Sequence, residues 1–362
     1  MSKDTISLFI AGKEFNKDWS QIRVTRSLDT LCGSFEFNAT QRSPFNMSEW
    51  PIKMGAACSV KVAGKLVITG YIEDININYD KDSHSVQIAG RDKTADLVDC
   101  TRAKKEWSFG EGQRVSNIIK KLIEPHGIEL VIDTPAENGA SKIFQYSVKF
   151  DTGAPLIDYI LSIVKKFGLF PIATPEGKLL LTTGDATKQA GTMLERGVNI
   201  LSGGLKQSNK EVYSVYLSVG QLGGKDNISP KNFTYKSIFD GDFGLVTRYR
   251  PLANIPDVGG DTKRARDQAY WEAKYRAANA RLLGYSVQGW TQSNGDLWEP
   301  HSLVFVTDEL FNDATRQFLI NACEYLQTEK GTITSMQLCS PEKYKSQANL
   351  DKFKMDMEGL KN

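Results

Sequence analysis

The chain has 362 residues, enough for two to four domains. Hydrophobic residues make up 40% and charged residues 24%, ordinary values for a globular protein. The formal net charge of +2 leaves no broad basic face for gripping phosphates and argues against an electrostatically driven nucleic-acid binder.

Residues 1 to 100 read as β-structure. Ile6, Leu8 and Ile10 alternate before a Gly12-Lys13 turn, and Ile22, Val24, Phe35 and Phe37 mark further short strands. Val60 and Val62 lead through a turn at Gly64 to Val67. Ile75, Ile77 and Tyr79 alternate with Asn76 and Asn78, and an Asp-Lys-Asp turn precedes Val86 and Ile88. Period-two alternation between turn signals predicts half-buried antiparallel strands. So many short strands predict a small closed or nearly closed barrel, which leaves no exposed edge.

Residues 101 to 200 change character. Val115, Ile118, Ile119, Leu122 and Ile123 keep the rhythm of an amphipathic helix, stopped by Pro125 and Gly127. A strand is expected over Ile128 to Ile132 and another where Phe144, Tyr146, Val148 and Phe150 alternate. A second helix starts near Pro155, sets Leu156, Ile160, Ile163, Val164 and Phe167 on one face, and ends at Gly168. A hairpin follows, turning at Pro175-Glu176-Gly177. These units predict a compact α+β domain.

Residues 201 to 340 return to β, with Tyr213, Val215, Leu217 and Val219 alternating. The segment from Gly220 to Asp242 is polar and Gly-rich and reads as a long surface loop. The helix expected over 264–283 carries a stripe of Ala265, Ala269, Ala273, Ala277 and Ala280 among charged residues. Such a stripe suits close packing against a sheet, the end of its own barrel or another chain. The tail, 341–362, is polar and of mixed charge, suited to a mobile segment or one docked only in an assembly. The expected fold is therefore α+β and mostly β, with two small antiparallel β-barrel modules and an intervening α+β domain. The expected boundaries are 1–100, 101–200, 201–340 and 341–362.

The second barrel module echoes the first. The stretch 50–93 and the stretch 298–343 each start with a Trp and a nearby Pro. Each passes an apolar strand (Val60, Val62; Val304, Val306), a turn and a second strand. Each has a Tyr (Tyr79; Tyr325) before a polar turn, then a last alternating strand ending near a Lys (Lys93; Lys343).

Signatures of chemistry are missing. The five cysteines, Cys32, Cys58, Cys100, Cys323 and Cys339, are scattered and form no CxxC pair, which suits small buried hydrophobes better than disulfides or zinc. His84, His126 and His301 fall in a turn, after a helix stop and in an outer loop, with no metal-ligand spacing. There is no GxSxG elbow and no phosphate-binding Gly-rich loop. Glu73 and Asp74 offer neighbouring carboxylates, but acids are mostly solvated surface groups. The N-terminus lacks the pattern of a signal peptide, and no apolar run approaches the roughly 20 residues that span a bilayer, so stable membrane insertion is not expected. No cofactor, metal or catalytic residue is expected. Trp290 and Trp298 leave open a carbohydrate-stacking module, and a tail-associated hydrolase is the other alternative.

Several stretches, in order, resemble the baseplate hub proteins of Mu-like contractile-tail bacteriophages. They are 19–40, the run VQIAGRDKTADLVDCT at 86–101, the helix and hairpin of 150–182, RGVNIL at 196–201, RYRPL at 248–252, the charged helix, GDLWEPHSLVFV at 295–306 and GTITSMQLCSPEKY at 331–344. The polar segment 220–242 departs from the pattern. The resemblance implies a structural, non-catalytic homotrimer, related in architecture to the hub of T-even phages and the base of type VI secretion spikes. Two related barrels per chain would form a pseudo-sixfold ring, adapting a sixfold tail tube to a threefold central spike. The implied partners are a second and third copy, the tail tube protein, the central spike protein and other baseplate proteins. DNA would pass through the channel without sequence-specific binding. The location implied is the virion tail baseplate, after assembly in the host cytoplasm. Candidate interface residues are Phe35, Phe37, Tyr213 and Tyr216 in the strand-rich regions, and Ala273 on the alanine stripe.

Overall fold

Alternation in the sequence becomes alternation in burial. Ile6 and Leu8 of the strand Ile6–Ile10 are fully covered, as are Ile22, Val24, Phe37, Val60, Val62 and Ile88 on neighbouring strands. Most residues on the opposite face, such as Arg23, Lys61 and Gln87, keep some exposure, although Ser7 is buried, as suits a sheet with one fully packed face. The computed structural model describes residues 5–41, 52–81, 84–102, 108–109, 111–144, 148–149, 153–220, 231–235, 246, 248–254, 262–311 and 313–344. It divides the chain into two units, Met1–Gly203 with Tyr285–Leu338, and Gly204–Gly284 with Cys339–Asn362.

The first unit is dominated by one large, mostly antiparallel sheet. Its strands run in the order Ile200–Gln207, Arg281–Gln288, Gly331–Cys339, Asp313–Thr328, Gln21–Ser27, Ser34–Gln41, His84–Asp92, Lys65–Tyr79, Ala57–Val62, Ile6–Ile10 and Lys13–Phe15. Ser302–Asp308 also pairs with Asp313–Thr328. Ile200–Gln207 and Lys13–Phe15 are the terminal strands of this path. The mostly antiparallel β character expected from the alternation is present.

Two meanders inside this sheet share one plan. Ala57–Val62, Lys65–Tyr79 and His84–Asp92 have 6, 15 and 9 residues. Ser302–Asp308, Asp313–Thr328 and Gly331–Cys339 have 7, 16 and 9. In each, the short strand pairs with the first part of the long middle strand, with a register shift along the way. The echo between 50–93 and 298–343 is thus an echo of strand lengths.

The helix–strand segment forms its own core. Val115–Ile123 buries Val115, Ile118, Ile119, Leu122 and Ile123 against Leu156, Ile160, Ile163 and Val164 of the helix Leu156–Val164. Gly127 and Gly168 end these segments in the left-handed conformation, at φ 65° and 67°, which costs a glycine little. The hairpin Leu169–Ala173 with Leu179–Thr183 turns where Pro175-Glu176-Gly177 predicts, and Leu130–Ile132 joins it in parallel. That strand begins at Leu130 rather than Ile128. Of the strand expected from Phe144 to Phe150, Val148–Lys149 is present, and Tyr146 and Phe150 lie outside the described residues. Arg26 fastens the hairpin to the sheet by donating to the Ala173 carbonyl at 2.5 Å.

The second unit corrects two expectations. Lys231–Tyr235, inside the stretch read as a loop, is a strand paired antiparallel with Val215–Gly220, which also pairs in parallel with Pro251–Asn254. The remainder of the stretch, 221–230 and 236–242, lies outside the described residues. The tail is also anchored at its start. Lys343 and Tyr344 are buried, and the Lys343 ammonium lies 5.5 Å from the Tyr275 ring centre and 4.9 Å from that of Tyr344. Residues 345–362 lie outside the described residues. The charged helix spans Thr262–Asn279. Its buried Ala269 and Ala273 pack on Tyr216, with half-buried Tyr213 and Leu252 beside them, so the alanine stripe lies on the unit's own three-stranded sheet.

Candidate assembly surfaces

The groups that could do chemistry are occupied with holding the fold. Among the described residues, no group of three or more His, Cys, Asp or Glu side chains converges as metal ligands would. Glu73 accepts from Arg91 twice, Nε at 2.6 Å and Nη2 at 2.9 Å, and the same guanidinium reaches Asp99. The bonds to Asp99 and then Glu73 raise the Arg91 pKa, and the Arg91 bond lowers that of Asp99. Glu73 therefore serves a bidentate clasp, and does not pair with Asp74 as an acid–base couple would. Burial pushes the Cys58 thiol up to about 12 and raises Cys323 further, so neither is a ready nucleophile.

Asp92, next to Arg91, is a buried carboxylate closing a turn. Its Oδ2 accepts from the Gly33 amide at 2.5 Å, and its Oδ1 accepts from the Thr94 amide at 2.8 Å and hydroxyl at 2.6 Å. Burial raises its pKa against the lowering effect of those bonds. Gly90 must lack a side chain, since a Cβ there would stand 2.1 Å from the Tyr71 carbonyl oxygen and 2.5 Å from the Phe35 ring. The Gly90-Arg91-Asp92 run is thus a backbone contact, a clasp and a turn lock in three successive residues.

His301 is half-buried in the turn that precedes the strand Ser302–Asp308. Its amide donates to the Ile320 carbonyl at 3.0 Å, its φ is 64°, and its buried Nε2 has no hydrogen-bond partner. Burial lowers its pKa, opposed by Asp133, by the bond to the Thr183 carbonyl and by Asp185. His84 opens the strand His84–Asp92, and His126 ends the short turn Glu124–His126. Trp290 and Trp298 are each 2% exposed, and the Trp290 indole donates to the Leu326 carbonyl at 3.0 Å. Neither can offer a ring face to a sugar, because both are core residues.

The five candidate interface residues are mostly covered within the single chain. Phe35 and Phe37 stack edge to face inside the sheet, Tyr216 and Ala273 form the core under the charged helix, and Tyr213 is half-buried between Arg250 and Arg276. The exposed apolar surface lies elsewhere. Met193, Val198, Leu201, Phe305 and Leu310 are exposed on segments flanking the pairing of Leu194 and Glu195 with Val306 and Thr307, and Met54 and Tyr79 are exposed in the first meander. Tyr79 was legible as the last alternating residue before a polar turn, where it pairs with His84, but alternation does not reveal its exposure.

Comparison with known proteins gives these features a context. Three family models match in order: "Mu phage baseplate assembly protein GpP-like, N-terminal" over 5–92, "Baseplate hub protein gp44-like, second domain" over 94–183, and "Mu phage baseplate assembly protein GpP, fourth domain" over 261–347. Baseplate hub protein gp44 of Escherichia phage Mu is 25% identical over 348 residues, spanning 94% of this chain and 88% of that protein. The chain belongs to the Mu-like baseplate hub family. The hub's fold is that of the 43 kDa tail protein of prophage MuSo2 from Shewanella oneidensis, with TM-score 0.81, 26% identity, and coverage of 95% of this chain and 100% of that one. It is also similar in fold to a component of the Escherichia coli type VI secretion system, with TM-score 0.57, 13% identity, and coverage of 94% and 78%. The hub is a structural component of a phage tail baseplate, and so of the virion.

Proposed function

We propose that the hub is a non-enzymatic homotrimer whose two related β-modules per chain form a pseudo-sixfold ring. The ring adapts a sixfold tail tube to a threefold central spike and lines the channel through which DNA passes without sequence-specific contacts. The observation that carries this reading is the pair of meanders with matching strand lengths, 6, 15 and 9 against 7, 16 and 9. Three chains, each with two like modules, offer six like surfaces on one side while keeping threefold symmetry on the other. The modules are assigned to 1–100 and 201–340, flanking an α+β domain at 101–200 and followed by a tail at 341–362. Assembly takes place in the host cytoplasm and leaves no stable membrane-inserted part. Among the described residues no helix is long and apolar enough to cross a membrane. Of the five candidate interface residues, Tyr213 has surface to give, while Phe35, Phe37, Tyr216 and Ala273 stiffen the faces from beneath.

Light scattering with negative-stain imaging of the same peak tests this. The expected result is a mass of three chains in a ring with six lobes. A monomer that stays monomeric when tube and spike proteins are added would overturn it.

A further inference from the structure

The sequence holds two Asn-Gly pairs, Asn138-Gly139 and Asn294-Gly295, and the fold orients them in opposite ways. An asparagine before a glycine is open to attack on itself, because no Cβ shields the next backbone nitrogen from the side-chain amide. Asn138 lies in the helix Glu137–Ser141. Helical side chains lean toward the N-terminus, away from the nitrogen of the following residue.

Asn294 lies in a turn, and its side chain leans forward. The Gly295 amide donates to the Gln292 carbonyl at 2.9 Å, the Gln292 amide donates to the Asp296 carbonyl at 2.7 Å, and Gly295 has a φ of 81°. The Asp296 amide donates to Asn294 Oδ1 at 2.9 Å, which makes an Asx turn. The ring of atoms closed by that bond contains both Asn294 Cγ and the Gly295 nitrogen. The same N–H is aimed at the oxygen on which negative charge collects when Cγ is attacked, as in an oxyanion site. Asn294 Nδ2, the leaving nitrogen, donates to Asp296 Oδ2 at 3.1 Å. Asn294 and Gly295 are exposed, within reach of water and hydroxide. The turn is also a joint. Lys65, the first residue of the strand Lys65–Tyr79 in the first meander, donates from its ammonium to the Gly295 carbonyl at 2.8 Å and to Asp296 Oδ1 at 2.9 Å.

We propose that Asn294 is a site of spontaneous deamidation, and that the change loosens the hold of Lys65 on this turn. The Gly295 nitrogen gives its proton to hydroxide, leaves the Gln292 carbonyl and bonds to Asn294 Cγ. The Cγ–Nδ2 bond breaks, the nitrogen departs as ammonia with a proton from water, and a five-membered succinimide remains. One water then opens the ring. Addition at Cγ gives aspartate. Addition at the main-chain carbonyl gives isoaspartate, whose backbone runs through the former side chain and is one atom longer. Either product sets a new carboxylate beside that of Asp296, where like charges repel. The longer backbone of isoaspartate also shifts the Gly295 carbonyl away from Lys65. The chemistry is the same whether the hub is one chain or three.

The test is the full chain aged in mildly alkaline buffer, once folded and once in urea, then digested. Both Asn-Gly peptides are followed by mass, and isoaspartate is counted by enzymatic methylation. In urea the two pairs should react at similar rates. In the folded chain Asn294 should outpace Asn138 by about tenfold or more, because only its side chain is oriented for the attack, and the rate should rise with pH. A folded chain in which Asn294 stays intact, or reacts no faster than Asn138, overturns the site. Hydrogen exchange at the Gln292 and Gly295 amides reads the second half of the proposal. The aged chain and fresh Asn294→Asp should both exchange about fivefold faster there than fresh wild type, the effect of one like-charge contact in water. Unchanged exchange in the aged chain keeps the site and overturns the loosening.

Discussion

Asp92 is the most testable residue of the turn that locks the first module. Replacing it with Ala removes the acceptor of three donors, the amides of Gly33 and Thr94 and the Thr94 hydroxyl. The carboxylate is 3% exposed, so water has little access to the vacated site. Each of the three orphaned buried donors costs about 1–3 kcal/mol, so Asp92→Ala should destabilise the first unit by about 3–9 kcal/mol. Asp92→Asn keeps one oxygen, which can serve both Thr94 donors, but turns an amide NH2 toward the Gly33 N–H, for a loss of about 1–3 kcal/mol. The pH dependence has a defined sign. The folded-state pKa of Asp92 is raised, chiefly by burial. Its contribution is therefore fully present below the unfolded value of about 4 and is lost as pH rises through the folded value. Wild type should lose stability relative to Asp92→Asn across that window. With two units in the chain, one unfolding free energy is not defined for the whole, so the assay is hydrogen exchange at the Gly33 and Thr94 amides together with the urea midpoint of the first unit's transition. Unchanged exchange in Asp92→Ala, or an Asn variant as damaged as the Ala variant, would refute the reasoning.

Two further outcomes follow from packing and burial. Ala273→Glu places a carboxylate against Tyr216 under the charged helix, and overpacking with charge burial should cost several kcal/mol, read as early loss of helical circular dichroism, while Ala273→Ser stays within about 1 kcal/mol. His301 has a lowered folded pKa, from burial first, so its contribution is present above the unfolded value of about 6.5 and is lost as pH falls through the folded value. His301→Asn, which tolerates the φ of 64°, should flatten that acid-side slope in thermal melts, and an unchanged slope would rule the histidine out.

Much of this was readable from residue order because the signals were local. The helices Val115–Ile123 and Leu156–Val164 carry their own periodicity and glycine stops, and the hairpin between Leu169 and Thr183 carries its own turn. Signals that depend on distant partners were not readable. Lys231–Tyr235 is a strand because Val215–Gly220 lies beside it, and its polar, Gly-rich surroundings read as loop. Trp290 and Trp298 have the composition of a binding platform, and only the fold turns them inward. His301 does lie in a turn, but nothing nearby in the sequence announces its partners Thr183 and Ile320. The Gly90-Arg91-Asp92 run stood out as a resemblance to hub proteins, but its role depends on Glu73, Asp99, Gly33 and Thr94, brought in by the sheet.

The joint between Gln21–Ser27 and Asp313–Thr328 also dictates a timetable. The Ile6 amide donates to the Gln327 side chain, and Tyr325 sits opposite Val24, partners some 300 residues apart. At roughly 5–20 residues per second, the first strands to leave the ribosome wait on the order of 15–60 s for the strand that completes them. During that interval a nascent hub displays a hydrophobic strand edge in a cell filling with identical chains. Pairing with the wrong copy is then the characteristic hazard, because contacts so remote along the chain form slowly.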